Sequence, residues 1–170
     1  MAKQKRTRGV EAALNNQMAR EFYAAHLYLS MAAYFDDQGL PGFSKWMLLQ
    51  HEEEQGHAMR LYQYILNSGG RVVLEGVDKP PTDFSSPLGV MEQSLEHERE
   101  VTKSIHDLYE LAHEEKDYAA QLELQWFITE QLEEEKTFED IIARMRLGGA
   151  EKGPGLLIID SELGGRTTNA

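Results

Sequence analysis

At 170 residues, with 41% hydrophobic and 27% charged side chains, the chain is long enough for one domain with a full core. Its 29 acidic against 17 basic residues give a formal net charge of -12, so nucleic acid and anionic membranes are poor partners and cations are drawn to it. The absence of cysteine excludes a disulfide framework and thiolate metal sites, and fits a reducing compartment; a cytoplasmic location is expected.

Residues 1–8 are basic with no apolar run behind them, which predicts a flexible solvated arm and not a signal peptide. No apolar stretch is long enough to cross a bilayer. From residue 9 onward, helical periodicity dominates and glycine and proline punctuate it. The first helix is expected over about Gly9 to Gln38, with an inward seam of Leu14, Met18, Glu21, Ala25, Tyr28, Ala32 and Phe35. Pro41 opens the second, whose seam is Phe43, Met47, Gln50, Glu54, His57, Leu61 and Tyr64, ending before Ser68-Gly69-Gly70.

The sixteen residues from Arg71 to Ser86 are too many for a simple turn. Extended, they reach roughly 50 Å, whereas a 28-residue helix is about 42 Å long. The segment therefore crosses the bundle end to end, which predicts that the second and third helices are parallel neighbours. Ser86-Pro87 starts the third helix, with seam Leu88, Met91, Leu95, Glu98, Thr102, Ile105, Tyr109 and Ala112. Asp117 opens the fourth, with seam Leu124, Phe127, Gln131, Glu134, Phe138, Ile141 and Met145, closing at Gly148-Gly149. A short fifth segment, 153–165, carries Leu156, Leu157, Ile158, Ile159 and Leu163 and must pack on something to be stable. Residues 166–170 are expected to be disordered.

All four long helices interrupt their apolar seams with acid or polar groups at mid-height: Glu21; Glu54 with His57; Glu98; Gln131 with Glu134. Burying several ionised carboxylates together costs several kcal/mol each and adds mutual repulsion. Either they are protonated in a hydrogen-bonded network, or cations sit among them. The second reading is preferred, because two divalent ions cancel four carboxylate charges. Glu54 can bridge them and His57 can complete one. Carboxylate-rich ligation with a single imidazole suits iron or manganese better than structural zinc.

The stretches Arg20-Glu21-Phe22-Tyr23, Glu53-Glu54-Gln55-Gly56-His57-Ala58, Glu96-His97-Glu98, and Gln125-Trp126-Phe127 through Glu130-Gln131-Leu132-Glu133-Glu134-Glu135, with the long crossing segment, resemble the ferritin family in its non-haem bacterial and archaeal form. The likeness covers about residues 9 to 165. It implies an all-α, ferritin-like four-helix bundle over 9–148, with a long crossover loop between the second and third helices and a short C-terminal fifth helix. The resemblance further implies a first iron on Glu21, Glu54 and His57, and a second on Glu54, Glu98 and Glu134 with Gln131 close by. Tyr28, two turns beyond Glu21, would hydrogen-bond at the site or lend an electron; from spacing alone it is equally a core aromatic. Glu53, Glu130 and Glu133, with Glu134 shared, match a third iron site of bacterial ferritins, although acidic runs of this kind are commonly a solvated face.

Gln131-x-x-Glu134 stands where bacterioferritins and many di-iron oxygenases carry Glu-x-x-His, so the second ion loses an imidazole and is expected to be held less tightly. Gln55 occupies the position at which bacterioferritins place a haem-ligating methionine, and no haem is expected. The implied function is a ferroxidase and iron store. Fe(II) would be oxidised by dioxygen or peroxide at an intra-subunit di-iron centre, and ferric oxyhydroxide kept inside a homo-oligomeric cage of 24 subunits. The alternative is a di-iron oxidase or peroxidase without mineral storage. A rubrerythrin-like form would need cysteines, which are absent. His26, His51, His97, His106 and His113 fall off the seams and are assigned no chemistry, and Trp46 and Trp126 are read as packing.

Overall fold

Local chemistry sets where each helix begins and ends. The computed structural model describes residues 8–149 and 152–166; the basic segment 1–7 and residues 167–170 of the tail lie outside them. Five helices are present among the described residues: α1 (Arg8–Asp37), α2 (Pro41–Asn67), α3 (Pro87–Glu114), α4 (Tyr118–Leu147) and α5 (Pro154–Gly164). Proline occupies the first turn of α2, α3 and α5, where its missing N–H leaves no bond unmade. The Ser86 hydroxyl accepts the Gly89 N–H at 3.0 Å to cap α3, and the Asp117 carboxylate accepts the Ala120 N–H at 3.0 Å to cap α4. Gly39, at φ 72°, turns the chain back between α1 and α2, a conformation that side-chain-bearing residues rarely adopt.

The segment between α2 and α3 runs along α1. Asn15 donates to the Arg71 carbonyl (3.0 Å) and accepts the Val73 N–H (2.7 Å), while Ser30, about 22 Å further along the helix, donates to the Pro81 carbonyl (2.6 Å). Phe84 then meets Tyr34, ring centroids 5.2 Å apart. The crossover thus returns the chain to the end of the bundle where α2 began, and α3 runs parallel to α2.

These two helices are not neighbours, however, which corrects the expectation from loop length. Gln17 meets Ser104 and Met31 meets Ser94, so α1 lies antiparallel to α3. Gln50 meets Glu134 and Arg60 meets Glu123, so α2 lies antiparallel to α4. Arg99 and Arg146 of α3's and α4's facing sides pair with Glu139 and Glu92 respectively. Each helix therefore touches antiparallel partners, and the parallel pair α2 and α3 sits on a diagonal. Loop length determines direction, but packing decides which corner the helix fills.

A polar layer cuts the apolar interior into two clusters. One is built around Tyr28, Met31, Phe35, Phe43, Met91 and Phe138, and the other around Leu14, Met18, Leu61, Ile65, Ile105 and Phe127. Every seam residue expected on α1 and α4 is buried. On α3 the buried positions include Val101 and Leu108, whereas Thr102 and Tyr109 are only half-buried; on α2, Ile65 is buried where Tyr64 was expected. The inward face is wider than a single heptad stripe, so adjacent positions compete for it.

Leu156, Ile159 and Leu163 of α5 pack into the first cluster against the start of α2, while Leu157 and Ile158 remain about 60% and 61% exposed. The fit is tight. The Asp160 carboxylate accepts the Phe43 N–H at 2.9 Å, and a Cβ on Gly42 would lie 1.7 Å from the Asp160 carbonyl oxygen. Lys45 Nζ donates to the Gly164 carbonyl at 2.7 Å.

Candidate metal centre

The layer between the two apolar clusters contains Glu21, Glu54, His57, Glu98, Gln131 and Glu134, all buried, joined by Gln17 and Gln50. Each comes from the middle of its own helix, so the bundle geometry brings acids from all four long helices to one level. Glu21, Glu54 and His57 offer ligand atoms within 4.8 Å of one another. Gln17, one turn before Glu21, donates to Glu21 Oε1 at 2.8 Å. The other oxygen of Glu21, and Oε2 of Glu54, are buried without a hydrogen-bond partner among the described residues; His57 Nδ1 lies 3.3 Å from the latter. Orphaned buried carboxylate oxygens are costly unless a cation takes them.

The α3–α4 side is different. Glu98 accepts from the Tyr28 hydroxyl on Oε1 and from Gln131 Nε2 on Oε2 (3.0 Å). Gln131 also donates to the Glu98 carbonyl at 3.2 Å and to Thr102 at 3.3 Å. Glu134 Oε2 accepts from Gln50 Nε2 at 2.8 Å. Tyr28 is thus both a fully buried core aromatic, stacked 6.0 Å from Phe138, and a donor to a site acid. Glu98 and Glu134 lie outside the tight three-residue cluster, yet their charges act on Glu54.

Burial, reinforced by the charges of Glu98, Glu21 and Glu134, pushes Glu54 well above the ordinary carboxylate range. Burial also pushes Glu98 up to about 7, against hydrogen bonds from Tyr28 and Gln131 that favour its ionised form. Glu134 rises to about 8, again through burial first and then the charges of Glu98 and Glu53, opposed by Gln50 and Arg166. Burial, then the charge of Glu98, raises the Tyr28 phenol in turn. Without cations the layer holds protons, and a cation entering it must displace them.

Of the third set, Glu53 and Glu130 are half-buried and Glu133 is exposed. Burial, with the charges of Glu133 and Glu53, raises Glu130 while His57 opposes. Glu53 is occupied by the Arg166 guanidinium, which donates to its two oxygens at 2.9 and 2.8 Å. Arg166 was grouped with the tail on sequence grounds; it is tied instead to α2.

Sequence reasoning also passed over Gln17 and Gln50, each one turn before a site acid on the same helix. Gln50 was visible as a seam break, a polar residue where the repeat calls for an apolar one. Trp126 packs edge-on against His57 (centroids 5.4 Å apart) beneath Arg60, and so fixes the imidazole's surroundings. His97 sits against Tyr23 and Tyr28; burial and then Arg20 lower its pKa to about 4, and its Nε2 has no hydrogen-bond partner among the described residues. Its position one residue off the seam concealed this.

Four antiparallel-packed helices, an end-to-end crossover, a short fifth helix and a mid-height layer of acids define the ferritin-like class of helical bundle. A family model described as a ferritin-like domain matches residues 11–148. The chain is 40% identical over 157 residues to a bacterial non-haem ferritin of Bacteroides fragilis, covering 92% of this chain and 97% of that protein. It is 41% identical over 155 residues to one from Staphylococcus aureus, covering 91% and 93%. Among solved structures, an open-pore ferritin from the hyperthermophilic archaeon Archaeoglobus fulgidus superposes with a TM-score of 0.94 at 47% identity, covering 96% of this chain and 100% of that one. The chain belongs to the ferritin family.

Proposed function

We propose that this protein binds Fe(II) in the buried layer, oxidises it to Fe(III) with dioxygen or peroxide as electron acceptor, and stores the product as ferric oxyhydroxide within a cage of its own copies. The observation that carries the reading is the pair of buried, unpartnered oxygens on Glu21 and Glu54, two residues that with His57 offer ligand atoms within 4.8 Å of one another. Glu21, Glu54 and His57 would take the first ion; Glu54, Glu98 and Glu134, with Gln131 beside them, would take the second. Glu98 and Glu134 surrender protons as the second ion enters, and Tyr28 keeps a donor on Glu98 while it does so. Glu53, Glu130 and Glu133, with Glu134 shared, would receive iron on the way out of the layer.

A single bundle encloses no storage cavity, so storage requires assembly. The exposed Leu157 and Ile158 on α5, and Val73, Leu74 and Val77 on the crossover, supply apolar surface for contacts between copies. The count of 24 subunits is the one the ferritin resemblance implies. No helix among the described residues is long and apolar enough to cross a membrane, and the cytoplasm is the proposed location. The test combines gel filtration with anaerobic Fe(II) loading, then aerobic oxidation and iron retained per subunit. A large assembly that oxidises and keeps iron is expected. A small species that oxidises Fe(II) but retains none would favour a di-iron oxidase instead.

A further inference from the structure

The C-terminal end of α5 brings a positive charge to the edge of the acid layer. Arg166 follows Gly164 and Gly165, and its guanidinium makes a two-point contact with Glu53, donates to Gln50 Oε1, and lies 5.0 Å over the Trp46 ring. Residues 46, 50 and 53 form one face of α2, stepping by four and three. The arginine is held in place from behind: Asp160 and Gly42 lock α5 to the first turn of α2, and Lys45 clamps the Gly164 carbonyl. The chain therefore delivers this charge to one carboxylate of the acid cluster by design of the docking. Gln50 links it onward, because its oxygen is taken by Arg166 while its nitrogen donates to Glu134.

We propose that Arg166 is a built-in competitor for metal ions: its guanidinium holds Glu53 and Gln50 until a divalent cation arriving at Glu53 displaces it. The physical basis is the mismatch between the two cations. The Arg166–Glu53 pair has two-point geometry, which makes it stronger than an ordinary surface ion pair. Its side chains are nonetheless 26% and 29% exposed, so water and ions reach it and can exchange with it. A divalent ion carries twice the charge and also draws on Glu130 and Glu133, which arginine does not touch among its described contacts. Displacement frees Gln50 to turn, and so reaches Glu134 at the second-ion position. Emptying Glu53 would let Arg166 return, which makes the contact a one-residue brake on cation residence outside the layer.

The inference rests on the proposed reading of Glu53, Glu130 and Glu133 as a cation position. It is tested by titrating the assembled protein calorimetrically with Zn(II), a redox-inert probe, in wild type, Arg166→Gln, Arg166→Lys, Glu53→Gln and the Arg166→Gln/Glu53→Gln double variant. In Arg166→Gln the weakest class of Zn(II) sites, the one outside the layer at Glu53, should tighten about tenfold while binding at Glu21, Glu54 and His57 stays unchanged, the size expected for losing one charge-assisted contact. Arg166→Lys should fall between, and Glu53→Gln should abolish this weakest class in both backgrounds. Hydrogen exchange over residues 160–166 should rise when wild type is saturated with Zn(II). Unchanged or weakened Zn(II) binding in both Arg166 variants overturns the proposal and leaves Arg166 a structural clamp. A Glu53→Gln variant that binds Zn(II) like wild type overturns the cation position itself, and the competitor with it.

Discussion

The two sides of the polar layer are built from the same kinds of residue and left in different states. On the α1–α2 side, Glu21 and Glu54 each keep an oxygen without a hydrogen bond among the described residues, with an imidazole beside them. On the α3–α4 side, Tyr28 and Gln131 donate to the two oxygens of Glu98, and Gln50 donates to one oxygen of Glu134. A cation must displace protons on either side, because burial raises Glu54 as it raises Glu98 and Glu134. On the second side it must also redirect donors that hold both oxygens of Glu98. The comparison teaches that ligand identity alone does not set metal affinity: neighbours that satisfy an acid in advance lower its value to an incoming ion.

The strongest way to break this asymmetry is to remove the first side. Glu54→Ala and His57→Ala should each lower the initial rate of Fe(II) oxidation by about a hundredfold or more, with the assembly retained on gel filtration. Equal losses from Glu98→Ala and from His57→Ala in first-ion affinity would contradict the ordering.

Acid–base behaviour sharpens the comparison. Glu98 and Glu134 rise from 4.5 to about 7 and about 8, so across that window the folded protein binds more protons than the unfolded chain. Unfolding then releases protons, and the site's contribution to metal-free stability falls as pH rises through the window. Relative to Glu134→Gln, which cannot titrate, the metal-free wild type should lose Tm steadily as the pH is raised. Divalent cations should reverse the loss. Glu54→Gln should make the metal-free protein about 1–3 kcal/mol more stable at the alkaline end, by denaturant unfolding, while costing cation binding.

On the second side, Gln131→His replaces an amide with an imidazole and should tighten the second-ion position within the layer by about tenfold in anaerobic titration. The smallest effect is expected from Gln17→Ala. That change releases an orienting donor from Glu21 and should weaken first-ion binding only by about threefold, through one lost hydrogen bond.

Much of this was readable without coordinates. The period of apolar residues, the proline and glycine punctuation and the length of segment 71–86 yield the helices and the crossover, because they depend on local geometry. The acids of the layer stood out because a carboxylate in an apolar seam contradicts the pattern around it. Gln17 and His97 did not stand out in the same way, and Gln50 showed only as a polar break in its seam. An amide or an off-seam imidazole has a bland role on most helices, and its partners lie on other helices or a turn away.

What the amino-acid order determined by itself was therefore the set of helices, their directions and the depth at which acid enters each one, since all three follow from spacing along a rod of known rise. Only the tertiary structure decided that α2 and α3 lie on a diagonal, that Tyr28 donates to Glu98, and that Arg166 reaches Glu53. Those contacts join residues far apart in the chain, and nothing in local periodicity specifies which distant side chain closes against which.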